Sequence, residues 1–141
     1  MKIKIPLQVI ELEKGNYHLI VTGKFLDENI GCWALDTGAS KTVFDKNLEQ
    51  YYVLEENCED VQSVGIGEGL MLSRYAVMRP FILGKYKIEN QKVALFDLTH
   101  INEFYRRTIT RTSICGLIGS DVLLKYKAVI NYKYKTLTLA Y

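Results

Sequence analysis

Ile3, Ile5, Leu7 and Val9 alternate with Lys4, Pro6 and Gln8, the period of two that marks a half-buried strand. Tyr17–Leu26 and Ile30–Leu35 are further β-rich runs, and the polar Asp27-Glu28-Asn29 between them predicts a short hairpin connection. More strands are predicted at Leu72–Met78, Phe81–Ile88 and Lys92–Phe96, with Glu89-Asn90-Gln91 joining the last two. The chain closes with a hairpin: Ala128–Tyr132, a turn near Lys133–Lys135, and Thr136–Tyr141 with Leu137, Leu139 and Tyr141 on one face. Pro6 and Pro80 fall where a strand edge or start tolerates a residue without an N–H.

Helical spacing is rare and short. Asp45–Tyr51 predicts two turns capped by Asp45, and Thr99–Arg107 carries Ile101, Phe104 and Tyr105 at helical spacing behind a Thr99 cap. Ser120 and Asp121 predict the cap of a third short helix running to Tyr126. No linker or low-complexity tract interrupts the pattern, so residues 1–141 read as one mainly β domain with two or three small helices.

Composition narrows the function classes. The chain has 141 residues, of which 48% are hydrophobic and 24% charged, enough apolar content for a soluble core. A net charge of +2 gives no field that would recruit nucleic acid. No apolar run approaches the ~20 residues of a membrane span, and Met1–Leu12 lacks a signal peptide's continuous apolar stretch. Three widely spaced cysteines, Cys32, Cys58 and Cys115, make a poor disulfide framework and fit a reducing, cytoplasmic setting. His18 and His100 have no Cys or His partner at ligand spacing, so neither a metal nor another cofactor is expected.

One segment carries chemistry. Ala34-Leu35-Asp36-Thr37-Gly38-Ala39-Ser40 places a carboxylate at the end of an apolar strand, an expensive position unless the charge is hydrogen-bonded. The Thr-Gly that follows can turn backbone N–H groups and a hydroxyl back onto it. By itself, that arrangement is also an ordinary Asx turn ending a strand. Gly65, Gly67 and Gly69 alternate through Val64–Leu70 and suit a hairpin tip; the strand-to-helix context and Lys-Ser/Thr of a phosphate loop are missing.

Asp36-Thr37-Gly38-Ala39-Ser40 resembles the active-site loop of aspartic proteases. About eighty residues on, Gly116-Leu117-Ile118-Gly119-Ser120-Asp121 is similar to the segment of retropepsin-like (retroviral-type) members that packs behind that loop. The Gly65-Ile66-Gly67 region resembles their flap by position and composition. The resemblance implies a closed, β-barrel-like acid-protease fold, one lobe per chain, and an endopeptidase acting on a peptide or protein substrate. It implies Asp36 as the catalytic residue, Thr37, Gly38, Ala39 and Ser40 as its supporting loop, and Leu117, Ile118 and Gly119 as packing behind it. Flap residues Gly65, Ile66 and Gly67 would cover the substrate.

The mechanism needs two carboxyls, one taking a proton from water and one protonating the carbonyl oxygen. Only one Asp-Thr-Gly is present: Asp97 lacks the glycine, and Asp121 follows a glycine without preceding one. A homodimer with Asp36 from each subunit on the two-fold axis is therefore expected. Ala39 stands where many pepsin-like enzymes place a Ser or Thr donor, which predicts a less acidic optimum than theirs. Two other readings share these residues: an idle module that binds peptides as an added strand, and a hydrolase of a modified peptide. Relative to compact viral members, the extra length falls at Lys46–Asp60 and Asp97–Ser113. Arg106, Arg107 and Arg111 read as a solvated loop, and Cys32 and Cys115 as small buried hydrophobes.

Overall fold

The computed structural model describes residues 1–55, 61–63, 71–108 and 110–141. Its strands are β1 (Lys2–Glu13), β2 (Asn16–Phe25), β3 (Ile30–Leu35), β4 (Val43–Asp45), β5 (Tyr52–Leu54), β6 (Val61–Ser63), β7 (Met71–Met78), β8 (Phe81–Leu83), β9 (Tyr86–Ile88), β10 (Lys92–Phe96), β11 (Gly116–Ile118), β12 (Val129–Asn131) and β13 (Thr136–Ala140). Two short helices join them, α1 (Thr99–Tyr105) and α2 (Ser120–Lys125), with a single 3-10 turn at Glu49–Tyr51.

Strands neighbour one another in the order β12-β13-β1-β2-β3-β11-β4-β10-β7-β5, with β6 added to β7 and the β8–β9 hairpin branching from β2. Among the described residues this path has two free ends, β12 and β5, so the expected closed barrel is replaced by an open, folded sheet. The reason lies in β1. Its first half pairs with β13, from Lys2↔Ala140 to Pro6↔Thr136, and its second half pairs with β2 from Leu7↔Val21 onward. Pro6 stands at the changeover, where one ladder ends before the next begins. The strand bends from one sheet into another instead of closing a cylinder.

Several predicted elements are divided differently. Phe81–Ile88 is a tight hairpin, not one strand, because Gly84 takes a φ of +62° and turns the chain. Lys92–Phe96 pairs with β7 and β4 instead of continuing from that hairpin. Asp45–Tyr51 is not helical: Val43–Asp45 is a strand beside β10, and only Glu49–Tyr51 coils. Helix α1 starts after Leu98 with no side-chain cap; Asp97 instead accepts the Thr99 N–H (3.0 Å) and hydroxyl (2.6 Å). Its buried face is Leu98, Asn102 and Tyr105, while Phe104 is 44% exposed.

Period-two burial produces two core layers on the two faces of the sheet. One is centred on Trp33 and Phe44, both wholly buried with rings 5.4 Å apart, and includes Phe25, Phe81, Leu83, Leu137 and Leu139. The other contains Ile10, Ile20, Ala34, Leu98, Tyr105 and Leu117. The segment after β4 is anchored through Tyr51, which stacks on Phe25 at 3.7 Å and donates its hydroxyl to Asp27 at 2.9 Å. No helix among the described residues is long and apolar enough to cross a membrane.

Candidate active site

β3 carries alternating side chains into the two layers: Trp33 into one, Ala34 into the other. It ends at Leu35, and Asp36 follows, half-buried, with its backbone N–H on the Ile118 carbonyl at 2.9 Å. The turn then folds back on the carboxylate. Gly38 donates its N–H to Asp36 Oδ1 at 3.0 Å, and the Ala39 N–H bonds the Asp36 carbonyl at 3.1 Å. Thr37, Gly38 and Ser40 are exposed, whereas Ala39 is buried. Burial of Ala39 leaves space for a methyl and supplies no side-chain donor, so among the described residues the Gly38 N–H is the bond that meets the carboxylate.

β11 holds this turn from behind. It runs parallel to β3 (Leu117↔Ala34, Ile118↔Leu35) and antiparallel to β4 (Gly116↔Phe44, Leu117↔Val43), so it is inserted between the strands that enter and leave the Asp36 loop. Two glycines permit that insertion. A Cβ on Gly116 would overlap the Val43 carbonyl and the Trp33 indole, and one on Gly119 would come within 2.8 Å of the Ala39 and Lys41 carbonyl oxygens. The Ser120 N–H bonds the Ala39 carbonyl at 2.8 Å. Buried Thr42 completes the brace by accepting the Gly119 N–H at 3.0 Å and donating to Asp121 Oδ1 at 2.7 Å. Asp121 also accepts the Val122 N–H at 2.9 Å, at the start of α2.

The long segment before β11 is pinned by a buried amide. Asn102 on α1 accepts the Ile114 N–H at 2.7 Å and donates to the Ile114 carbonyl at 3.0 Å, imitating one rung of a sheet. The helix thereby sets the approach of β11 to the Asp36 turn. A second polar knot links the two longer segments: Asn47 donates to Asp45 (2.9 Å) and Asp97 (2.8 Å).

Asp36, Thr37, Gly38, Ala39 and Ser40 are thus brought together with Leu117, Ile118 and Gly119. Gly65, Ile66 and Gly67 lie outside the described residues. The two described cysteines do not compete as nucleophiles: burial pushes the Cys115 thiol well above its ordinary range and raises Cys32 as well. Among the described residues no group of three His, Cys, Asp or Glu side chains could hold a metal ion.

No family model and no curated protein sequence matches this chain. Its structure, however, superposes on the crystal structure of a retropepsin-like aspartic protease from Rickettsia conorii, covering 99% of this chain and 90% of that one with a TM-score of 0.53. The chain shares the fold of a retropepsin-like aspartic protease. Identity is 17%, so fold is what the likeness carries.

Thr42 and Asn102 brace the Asp36 turn and its backing strand, and sequence reasoning did not single them out. Each acts through a partner 12 or 79 residues away, and no local pattern marks such a pairing.

Proposed function

We propose that this chain is one subunit of an aspartic endopeptidase in which Asp36 from each of two copies activates a water between them. The observation that carries the reading is the Asp36 turn itself: a half-buried carboxylate at a strand end, held by the Gly38 N–H and braced by Gly119 and Thr42. One carboxylate supplies half of what peptide hydrolysis requires. Two carboxyls in one site share a proton, because both cannot ionise easily; the charged one takes the proton of water and the neutral one protonates the carbonyl. Thr37, exposed beside the axis of such a dimer, would brace the two loops against each other, and the Gly65-Ile66-Gly67 segment would close over substrate.

The reading is tested by cleavage of an unfolded peptide mixture at pH 4 to 7, wild type beside Asp36→Asn. Cleavage abolished in the folded variant is the expected result; substantial residual cleavage assigns the chemistry elsewhere. Specific activity should fall on dilution below the dimer dissociation constant, and a monomer with concentration-independent activity would sink the shared site. With a single backbone donor on the carboxylate, the optimum is expected above about pH 3, unlike the most acidic members of the class.

A further inference from the structure

Two ammonium groups meet over one ring beside the Asp36 turn. The ladders align Ala34 with Leu117, Leu117 with Val43, Val43 with Ala94 and Ala94 with Tyr75, one row across β3, β11, β4, β10 and β7. The first four belong to one core layer and half-buried Tyr75 packs against it, so all five share a face. Lys92 stands two residues before Ala94 on β10, and Lys41 two residues before Val43, where the Asp36 loop runs into β4. Because β4 and β10 are parallel, both lysines lie towards the same end of the row. That end also holds the Asp36 turn, since β11 is parallel to β3 and antiparallel to β4. The backbone of Lys41 touches the same packing: its carbonyl oxygen and that of Ala39 each lie 2.8 Å from where a Cβ on Gly119 would stand. The two side chains converge on the Tyr75 ring, with Lys92 Nζ 4.6 Å and Lys41 Nζ 5.9 Å from its centroid.

The two cations differ in their counter-ions. Glu55 pairs with Lys92 at 3.4 Å, whereas among the described residues no carboxylate pairs with Lys41. Two like charges on one ring with a single counter-ion leave a positive spot, and its Lys41 side is exposed. A carboxylate arriving there gains attraction that the chain itself leaves unused. With β11 between them, β3 and β4 are two strand spacings apart, about 10 Å. An extended peptide advances about 3.3 Å per residue, so the spot lies about three residues from a bond held at Asp36.

We propose that Lys41 is a specificity-determining residue that selects peptides with an acidic side chain about three residues from the cleaved bond, the Tyr75 ring holding its ammonium in place. This deepens the peptidase reading and rests on Asp36 being the catalytic carboxylate. Lys92 adds to the field on the far side of the ring, tempered by Glu55.

The test uses three fluorescent peptide pools, identical except that their charged positions are all Glu, all Gln or all Lys. Binding is read by anisotropy on Asp36→Asn protein, which needs no turnover, and cleavage by kcat/KM on the wild type. The Glu pool should bind about tenfold more tightly than the Lys pool, the scale of an exposed ion pair gained against a like-charge contact. Adding Lys41→Glu should reverse that order; the side chain is exposed, so the core is untouched. Lys133→Glu makes the same change in net charge at another exposed lysine, 5.3 Å from the Tyr134 ring centroid, and should leave the order as it was. No binding, equal binding of the pools, an unchanged order in Lys41→Glu, or an equal shift in Lys133→Glu overturns the proposal. Glu-selective binding without Asp36-dependent cleavage would overturn the peptidase reading alone, and Asp36-dependent cleavage without charge selection would overturn the Lys41 assignment alone.

Discussion

Thr42 donates its hydroxyl to Asp121 at 2.7 Å across a sequence separation of 79 residues, while accepting the Gly119 N–H with the same oxygen. That oxygen joins the strand leaving the Asp36 loop to the segment behind it. Thr42→Val keeps the shape, yet leaves the buried Gly119 N–H without its acceptor and removes one of the two donors to Asp121 Oδ1. Chemical denaturation should show a loss on the order of 2–3 kcal/mol, and Thr42→Ser should recover most of it.

Asn102 makes both of its bonds to the backbone of Ile114 in a buried setting. Asn102→Leu has nearly the same volume but leaves that N–H and carbonyl without partners. Urea unfolding is expected to lose about 3 kcal/mol. Loosened attachment of α1 should also make the amides of β11 exchange faster with deuterium than those of β2.

Gly119→Ala inserts a methyl within 2.8 Å of two backbone carbonyls, neither of which can move as a flexible side chain would. A destabilisation of about 1–3 kcal/mol is expected from calorimetry, with displacement of the Asp36 turn. Gly38→Ala should be milder in stability, since the nearest atom to its Cβ would be Asp36 Oδ1 at 3.4 Å.

Asp97 is held down to about 2, first by the Thr99 hydroxyl and N–H and then by Asn47. A depressed carboxyl contributes stability above its unfolded value and loses it as pH falls through the folded one. The contribution should therefore be full above about pH 4 and vanish towards pH 2. Removing the titration with Asp97→Asn should flatten the stability curve in that window and leave its shape near neutrality unchanged; thermal melts at pH 2, 3, 4 and 6 would show it.

Long strands and the chemistry-bearing turn were legible because their signals are local. Alternation over Ile3–Val9, the polar break at Asp27–Asn29 and the Asp36-Thr37-Gly38 turn each occupy a few consecutive residues. Three-residue strands such as β4, β5 and β11 are too short for any period to register; their pairing is decided by partners far along the chain. Asp45 illustrates the failure: it looks like a helix cap, yet position 45 pairs with Phe96 in β10. The barrel expectation failed for a related reason, because the bend at Pro6 depends on which strand lies beside each half of β1. Thr42 and Asn102 were invisible as site residues, since nothing near them in sequence names their partners.

The insertion of β11 between β3 and β4 also dictates when the Asp36 turn can reach its folded shape. The carbonyl of Ile118 and the N–H groups of Gly119 and Ser120 that fix the Asp36 turn are made some eighty residues after Asp36 itself. A growing chain that ends short of those residues has the carboxylate and lacks its mould. The turn can take its final shape only once that later segment has been made, an order that follows from strand connectivity alone.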